Sequence, residues 1–268
     1  MKSAADTDLD VADHGTGEPL LLIHGGGASE EMLPLRREPE LAGRYRLISF
    51  RRRDYRRNTG DAPVSVGRHA EDCRLVLDWC GVDKAHVLGK SSGGLIALQF
   101  AVDEPARVQT LCLLEPALLS VPDGAAFFAA LEPVLEIYRA GDPVAAVDAF
   151  FTAVWGSGWK AEYEKAVPGG PRLAEQAAAT MFESELPAVQ SWDFGADQAT
   201  TIGQPVLYVL GSESLPLFAQ GRDLVHDWLP QTEDVTLPGL NHLLQVRDPA
   251  GVARALAGFL GRHPLPAR

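Results

Sequence analysis

A serine lies in the kind of segment that makes a serine nucleophilic. Residues 89–93 read GKSSG, a Gly-x-Ser-x-Gly pattern centred on Ser91, between an apolar run and a helix-like stretch. Such a strand–turn–helix lifts the serine hydroxyl clear of the sheet, and its small flanking residues let strand and helix approach closely. The spacing selects Ser91 rather than its neighbour Ser92, and it predicts acyl transfer through a covalent intermediate.

A serine hydroxyl needs a base, and His242 is the histidine best placed to serve as one. It follows the apolar stretch 235–237 in a loop that precedes a predicted C-terminal helix. We therefore predict that His242 takes the proton of Ser91. The other six histidines lie within predicted helices or strands, near the termini or in a glycine-rich turn: His14, His24, His69, His86, His226 and His263.

A second glycine-rich turn, residues 24–27, reads HGGG directly after the apolar run 20–23. Turns of this type supply a backbone N–H to an oxyanion hole. We expect the hole to consist of the N–H of Ser92 and that of Gly26, with Gly25 as the alternative to Gly26. Losing one such donor typically costs roughly 100- to 1,000-fold in rate.

With these three segments the chain resembles the α/β-hydrolase superfamily along nearly its whole length, and the serine precedes the histidine as the family's order requires. The resemblance implies an α/β fold, in which a mostly parallel central sheet is flanked by helices and carries an inserted helical cap. It also implies hydrolysis by a serine–histidine–acid triad, without a metal or another cofactor.

The acid of the triad is not where the family most often has it. The common position ends a Gly-x-x-Asp segment, and here residues 211–214 read GSES, so Ser214 replaces the aspartate. Zearalenone-type lactone hydrolases resemble the chain at the elbow and carry a glutamate after the preceding strand, where this chain has Glu115. A glutamate that ends a buried strand is costly unless it is used or paired. We expect Glu115 to orient His242, with Glu213 as the alternative acid.

Apolar runs alternate with helix-like stretches, which indicates a mostly parallel sheet. Residues 9–12 can add a shortened edge strand. The predicted strands are 20–23, 45–50, 85–88, 110–114, 206–210 and 234–237. The predicted helices are 30–41, 66–79, 92–103, 217–228 and 249–260.

Residues 119–200 interrupt this alternation with three alanine-rich helical patterns, at 124–139, 143–155 and 171–182. We expect a core formed by residues 1–118 and 201–268, and a helical cap formed by residues 119–200. Eleven of the chain's twenty Phe, Tyr and Trp residues lie in the cap. This surplus favours an aromatic-lined pocket between cap and core, and hence a small apolar or aromatic ester or lactone as substrate.

Two charged features admit a structural and a functional interpretation. Lys90 either turns away from Ser91 and packs beside the sheet edge, which we expect, or it steers an anionic group or lowers a nearby pKa. Residues 51–57 read RRRDYRR. They form either a solvated loop paired with acidic residues, which we expect, or a site for a carboxylate or phosphate of the substrate.

The amino-acid composition and charge argue against some classes of binding partner. A net charge of −12 argues against nucleic acid or an anionic membrane as the main partner. No secretory signal is visible in the first ten residues, and no apolar run approaches the roughly 18 residues of a membrane span. We expect Cys73, Cys80 and Cys112 to be reduced thiols of a cytoplasmic protein.

The leading hypothesis is a cofactor-free hydrolase of esters or lactones. Two alternatives stay open on the same fold. One is a carbon–carbon bond hydrolase or lyase that also uses a serine. The other is a non-catalytic small-molecule-binding member of the superfamily, which only the missing Gly-x-x-Asp acid favours.

Overall fold

The computed structural model of the protein describes residues 2–4, 9–57 and 63–266. One eight-stranded sheet lies at its centre. In chain order the strands are β1 (Lys2–Ala4), β2 (Leu9–His14), β3 (Glu18–Ile23), β4 (Tyr45–Arg51), β5 (Ala85–Lys90), β6 (Val108–Leu114), β7 (Val206–Gly211) and β8 (Thr232–Leu237).

The spatial order of the strands is β1-β2-β4-β3-β5-β6-β7-β8. The pairs β1/β2 and β2/β4 are antiparallel, and every other neighbouring pair is parallel. The predicted mostly parallel sheet is therefore confirmed. Because parallel strands end at the same edge, the loops after β3, β5, β6 and β7 gather at one side of the sheet.

Helices cover both faces of the sheet. In chain order they are α1 (Leu33–Arg37), α2 (Pro39–Ala42), α3 (Arg53–Arg57), α4 (Val66–Trp79), α5 (Ser92–Asp103), α6 (Gly124–Ala130), α7 (Glu132–Arg139), α8 (Pro143–Trp155), α9 (Trp159–Ala166), α10 (Gly170–Gln176), α11 (Leu186–Ser191), α12 (Ala196–Ala199), α13 (Pro216–Trp228), α14 (Leu244–Arg247) and α15 (Pro249–Leu260).

Alternation along each strand divides the core into two layers. In β3, Leu21 and Ile23 belong to the cluster that includes α4 and α5, whereas Leu20 and Leu22 belong to the cluster that includes α15. Successive side chains of a strand point to opposite faces, so a strand buried on both sides reads as a continuous apolar run. This is why the sequence 20–23 predicts a central strand.

Prolines explain two differences from the predicted helices. The helix predicted at 30–41 is two short helices, because Glu38 precedes Pro39 and is extended, with ψ 126°. The helix predicted at 124–139 is likewise divided, and Pro133 lies in the first turn of α7. A proline there lacks only an N–H that the helix leaves unpaired anyway, whereas further inside it would break the helix.

Residues 119–200, which lie between β6 and β7, are called the cap. It holds α6 to α12 and a π-helical turn, Thr180–Glu185, which runs directly into α11. Most buried apolar residues of the cap form a third cluster together with Ala28, Leu243 and Val246. The helix α9 lies outside the three patterns that the sequence predicts.

Two further observations concern the rest of the chain. Cys73, Cys80 and Cys112 are free thiols. Within the described ranges, no helix combines the length and apolarity that crossing a bilayer needs.

Candidate active site

Ser91 lies on the tight turn between β5 and α5, with φ 53° and ψ −123°. Neighbouring glycines make this turn possible. A Cβ at Gly89 would lie 2.2 Å from the carbonyl oxygen of Gly93, and a Cβ at Gly93 would lie 2.4 Å from that of Ile23. The backbone N–H of Ser91 donates to the carbonyl of Leu114 at 3.0 Å, which ties the turn to the end of β6.

His242 and Glu115 meet beside this turn. The Nδ1 atom of His242 lies 2.5 Å from Oε2 of Glu115, and both side chains are buried. The imidazole also stacks on Phe218, with ring centroids 4.0 Å apart and planes 12° apart. Two contacts, one polar and one aromatic, therefore fix the orientation of the ring.

The second carboxylate oxygen of Glu115 also accepts hydrogen bonds. Oε1 accepts a hydrogen bond from the backbone N–H of Gly211 at 2.7 Å and one from the hydroxyl of Ser214 at 2.5 Å. Glu115 follows β6 with φ 45°, a left-handed conformation. The contact with Ser214 was not expected from the sequence, where only the absence of an aspartate at that position was visible.

Glu213, the alternative acid, lies apart from the imidazole. Its side chain is exposed, and no hydrogen bond or ion pair joins its carboxylate to another described residue. Its backbone N–H donates to the carbonyl of Leu240 at 2.8 Å. The structure thus brings together Ser214, Glu115 and His242, and leaves Glu213 in contact with solvent.

The environment of His242 favours the neutral imidazole. Burial is the largest cause, and the positive charge of Lys90 adds to it. The hydrogen bond and the charge of Glu115 act in the opposite direction, and the net effect lowers the pKa of His242 to about 4. A neutral imidazole at physiological pH is the form that can accept a proton from a serine.

The turn after β3 leaves one N–H of its glycines unpaired. The N–H of Gly25 donates to Oε1 of Glu31 at 2.5 Å, and the N–H of Gly27 donates to the hydroxyl of Tyr55 at 2.5 Å. No acceptor among the described residues pairs with the N–H of Gly26 or of Ser92. Both residues line the pocket that also contains Ser91. This arrangement distinguishes Gly26 from Gly25 as a candidate oxyanion donor.

Lys90 differs from the expectation. The interpretation that it packs beside the sheet edge is wrong, because β5 lies in the middle of the sheet and Lys90 is 2% exposed. Its Nζ lies 3.1 Å from Oε2 of Glu31, a glutamate with no exposed surface. Glu31 also accepts from Nε2 of Gln245 at 2.7 Å. A buried ammonium next to a buried carboxylate is a paired charge, which the sequence 89–93 did not indicate.

The arginines 51–53 of the basic segment pair with acidic residues as expected, but the segment is not a solvated loop. It begins a short helix, α3, and Arg52 is 2% exposed. Nη2 of Arg52 lies 2.5 Å from Oε2 of Glu185 in the cap, and the hydroxyl of Tyr55 donates to the same oxygen at 2.8 Å. Arg53 pairs with the buried Asp72 of α4. These arginines therefore hold elements of the protein together.

A pocket contains both Ser91 and His242, and its empty volume is about 590 Å³ when the open solvent at its entrance is included. Its wall is mostly apolar, and Lys90 and Glu185 are the charged residues besides the histidine. Five of the eleven cap aromatics line it: Phe127, Phe128, Phe150, Phe151 and Trp155. The other six pack elsewhere: Tyr138, Trp159, Tyr163, Phe182, Trp192 and Phe194.

The described residues contain no group of three His, Cys, Asp or Glu side chains that is arranged to bind a metal ion. His24 has a local contact, since its Nδ1 lies 2.7 Å from the carbonyl oxygen of Gly25. Burial lowers the pKa of His24 well below its usual value. His24 therefore supports the turn after β3 rather than facing the pocket.

A sequence model of the alpha/beta hydrolase family matches residues 20–255. The chain belongs to this family. Two proteins named as the carbamate hydrolase RutD are similar to this chain. That of Variovorax paradoxus is 26% identical over 93% of this chain and 94% of its own. That of Azorhizobium caulinodans is 36% identical over 41% of each chain.

Other proteins resemble a shorter part of this chain or its fold alone. A 2-hydroxymuconate semialdehyde hydrolase of Pseudomonas putida is 32% identical over 44% of this chain and 43% of its own. A thermophilic esterase of Thermogutta terrifontis has a similar structure, with a TM-score of 0.78, 20% identity and coverage of 96% and 94%. The hydrolase family is shown by these comparisons, and the bond that this member cleaves is a separate question.

Proposed function

We propose that the protein is a serine hydrolase that cleaves carboxylic esters or lactones, with Ser91, His242 and Glu115 as its triad. The observation that carries the proposal is the 2.5 Å contact between Nδ1 of His242 and Oε2 of Glu115 in the wall of the pocket that holds Ser91. A carboxylate on one ring nitrogen sets the tautomer that leaves the other nitrogen free to accept a proton.

In the proposed reaction Ser91 Oγ attacks the substrate carbonyl carbon while Nε2 of His242 takes the hydroxyl proton. The negative charge on the carbonyl oxygen is stabilised by the N–H groups of Gly26 and Ser92. The intermediate collapses, the bond to the alcohol oxygen breaks, and His242 returns the proton to that oxygen. A water molecule then attacks the acyl-enzyme by the same route and releases the acid. Glu115 stabilises the imidazolium that forms in each half-reaction.

The pocket indicates the substrate class. Its aromatic wall favours an apolar or ring-containing acyl group, and the net charge of −12 disfavours polyanions. We propose a small apolar or aromatic ester or lactone, and we propose neither nucleic acid nor a membrane as partner. The similar proteins named for carbamate and semialdehyde substrates make carbamates and carbon–carbon bonds the alternatives to be tested.

A fluorophosphonate probe tests the nucleophile. The folded wild-type protein should be labelled, and the Ser91→Ala variant should not. Failure of the folded wild-type protein to react would favour the non-catalytic binding member of the family over a hydrolase.

A substrate panel tests the bond. Aromatic and medium-chain esters, lactones of several ring sizes, aryl carbamates and a vinylogous 1,5-diketone should be compared by kcat/KM. We expect esters or lactones to be cleaved fastest. Faster cleavage of the carbamate or of the diketone would replace the proposed substrate class while leaving the triad in place.

A further inference from the structure

Two side chains of the pocket wall carry hydrogen-bond donors with unused capacity, in addition to the backbone N–H groups of Gly26 and Ser92 and the hydroxyl of Ser92. Trp155 is 1% exposed, and its indole N–H has no hydrogen-bond partner within the described part of the chain. Lys90 is 2% exposed, and its ammonium group carries three protons, of which the contact with Glu31 uses one. Both residues line the pocket that contains Ser91.

Trp155 is unlike the other two tryptophans of the cap. The indole N–H of Trp159 donates to Oδ1 of Asp148 at 3.1 Å, and that of Trp192 donates to Oε1 of Gln99 at 2.9 Å. A buried donor without an acceptor costs roughly 1–3 kcal/mol, so buried indoles normally find a partner. The N–H that lacks one belongs to the tryptophan in the pocket wall.

The ion pair with Glu31 fixes the position of the Lys90 ammonium group. Glu31 binds it through Oε2, while Oε1 of the same carboxylate is fixed by the N–H of Gly25 and Oε2 is shared with Gln245. The ammonium lies 5.1 Å from the centroid of the Trp155 ring, where a cation is attracted by the aromatic face. The two donors are therefore neighbours on one part of the wall.

We propose that Lys90 and Trp155 form a subsite for a neutral oxygen acceptor, a ketone or second ester carbonyl carried by the acyl group of the substrate. This inference rests on the proposed function, because it deepens the substrate class from an apolar ester or lactone to an oxo-substituted one. The carbonyl oxygen accepts from the ammonium and the indole N–H, which supplies the acceptor that these buried donors lack.

The acceptor is neutral because the charge of Lys90 is already balanced. Glu31 compensates it at 3.1 Å, and the other carboxylate of the pocket wall, that of Glu185, has a counter-ion of its own. Arg52 compensates Glu185 at 2.5 Å. A carboxylate on the substrate would bring a further negative charge into a buried site whose ammonium already has its counter-ion, and this is costly.

Binding to the full-length Ser91→Ala protein tests the subsite without turnover. Methyl 4-, 5- and 6-oxoheptanoate should be compared with methyl heptanoate and monomethyl pimelate by titration calorimetry. We expect one oxo ester to bind about tenfold more tightly than methyl heptanoate, as one or two net hydrogen bonds predict. Monomethyl pimelate should bind more weakly than that oxo ester. Equal binding of the oxo and plain esters, or tightest binding of the carboxylate, would overturn the proposal.

Three variants in the Ser91→Ala background assign the effect. Trp155→Phe keeps a ring and removes the N–H, and it should reduce the tenfold preference to about threefold. Lys90→Met should also reduce it. If the unpaired Glu31 prevents folding, the double variant Lys90→Met/Glu31→Gln replaces it. Trp159→Phe, a neighbouring cap tryptophan outside the pocket, should keep the tenfold preference. A preference that survives the changes at both Lys90 and Trp155 would contradict the assignment.

Turnover by the wild-type protein separates this proposal from the proposed function. Cleavage of methyl heptanoate without any preference for oxo esters would refute the subsite alone. A binding preference that depends on Trp155, in a protein that cleaves none of the esters, would refute the hydrolase alone.

Discussion

The hydroxyl of Ser214 donates to Oε1 of Glu115 at 2.5 Å. Position 214 is the one at which the α/β-hydrolase family commonly has the aspartate of its triad, and position 115 holds the buried carboxylate that contacts His242. The residue at the common acid position thus binds the carboxylate at the other position. The chain therefore does not simply lack the aspartate of the Gly-x-x-Asp pattern. The serine at position 214 binds the glutamate at position 115, which takes the place of that aspartate beside His242.

Ser214→Ala should lower kcat about tenfold with little change in KM, because Glu115 loses a hydrogen bond to a charged group and holds His242 less firmly. Ser214→Thr should restore most of the rate, since it returns a hydroxyl. The matched control is Ser212→Ala, whose hydroxyl accepts from the N–H of Gly239 instead. Steady-state kinetics of the three variants check this, and equal losses at 212 and 214 would contradict a specific role for Ser214.

Ser91→Ala should leave the fold intact and reduce turnover on the order of a million-fold, because triad members act as a unit. Ser92→Ala should be mild, since the proposed contribution of Ser92 is its backbone N–H. Kinetics together with circular dichroism of both variants provide the measurement. An inactive Ser92→Ala and an active Ser91→Ala would move the nucleophile to the neighbouring residue.

Glu115→Gln should cost on the order of 10,000-fold in kcat, because the amide stabilises the wrong tautomer of His242 and removes the counter-charge of the imidazolium. Glu213→Gln removes the same charge from an exposed side chain and should cost little. The reverse ranking of the two variants would assign the acid to Glu213 while leaving Ser91 and His242 in their proposed roles.

The pH profile should reflect the lowered pKa of His242. The base must be neutral, so kcat/KM should stay level from neutral pH downwards and fall as pH drops through about 4. Lys90→Met removes a positive charge that opposes protonation of the ring, and it should shift the acidic limb to higher pH. Lys160→Met removes a charge from the exposed part of the cap and should not shift it. An unchanged limb in Lys90→Met would show that Lys90 does not act on His242.

Phe128→Ala should raise KM for aromatic esters and shift the preference towards bulkier acyl groups, because this half-buried ring lines the pocket. Trp192→Phe is the control: the sequence placed Trp192 among the pocket candidates, but it stacks on Phe194 away from the pocket, with ring centroids 4.5 Å apart. Substrate-panel kinetics check both variants. Equal changes in preference would mean that folding of the cap, rather than contact with substrate, determines them.

Patterns of neighbouring residues predicted the fold and those candidate residues whose positions depend on local geometry. The Gly-x-Ser-x-Gly turn and the apolar strands depend on neighbours in sequence, and they indicated Ser91 and His242. The prediction of Glu115 depended on the resemblance to lactone hydrolases as well as on its place at the end of a strand. The roles of Lys90 and Arg52 depend on partners that are remote in sequence. Arg52 meets Glu185 across 133 positions, and this partner lies on a π-helical turn with no sequence signature. A charge pattern alone therefore resembled a solvated loop.

Among the described residues, Ser91 and Glu115 are the non-glycine residues with positive φ, at 53° and 45°. Each holds a backbone conformation that glycine would adopt more comfortably, by about 1 kcal/mol or more. Ser91 and Glu115 carry side chains despite that conformational preference. Function, and not stability, therefore explains why these two positions are not glycine. These two residues are the proposed nucleophile and the proposed acid.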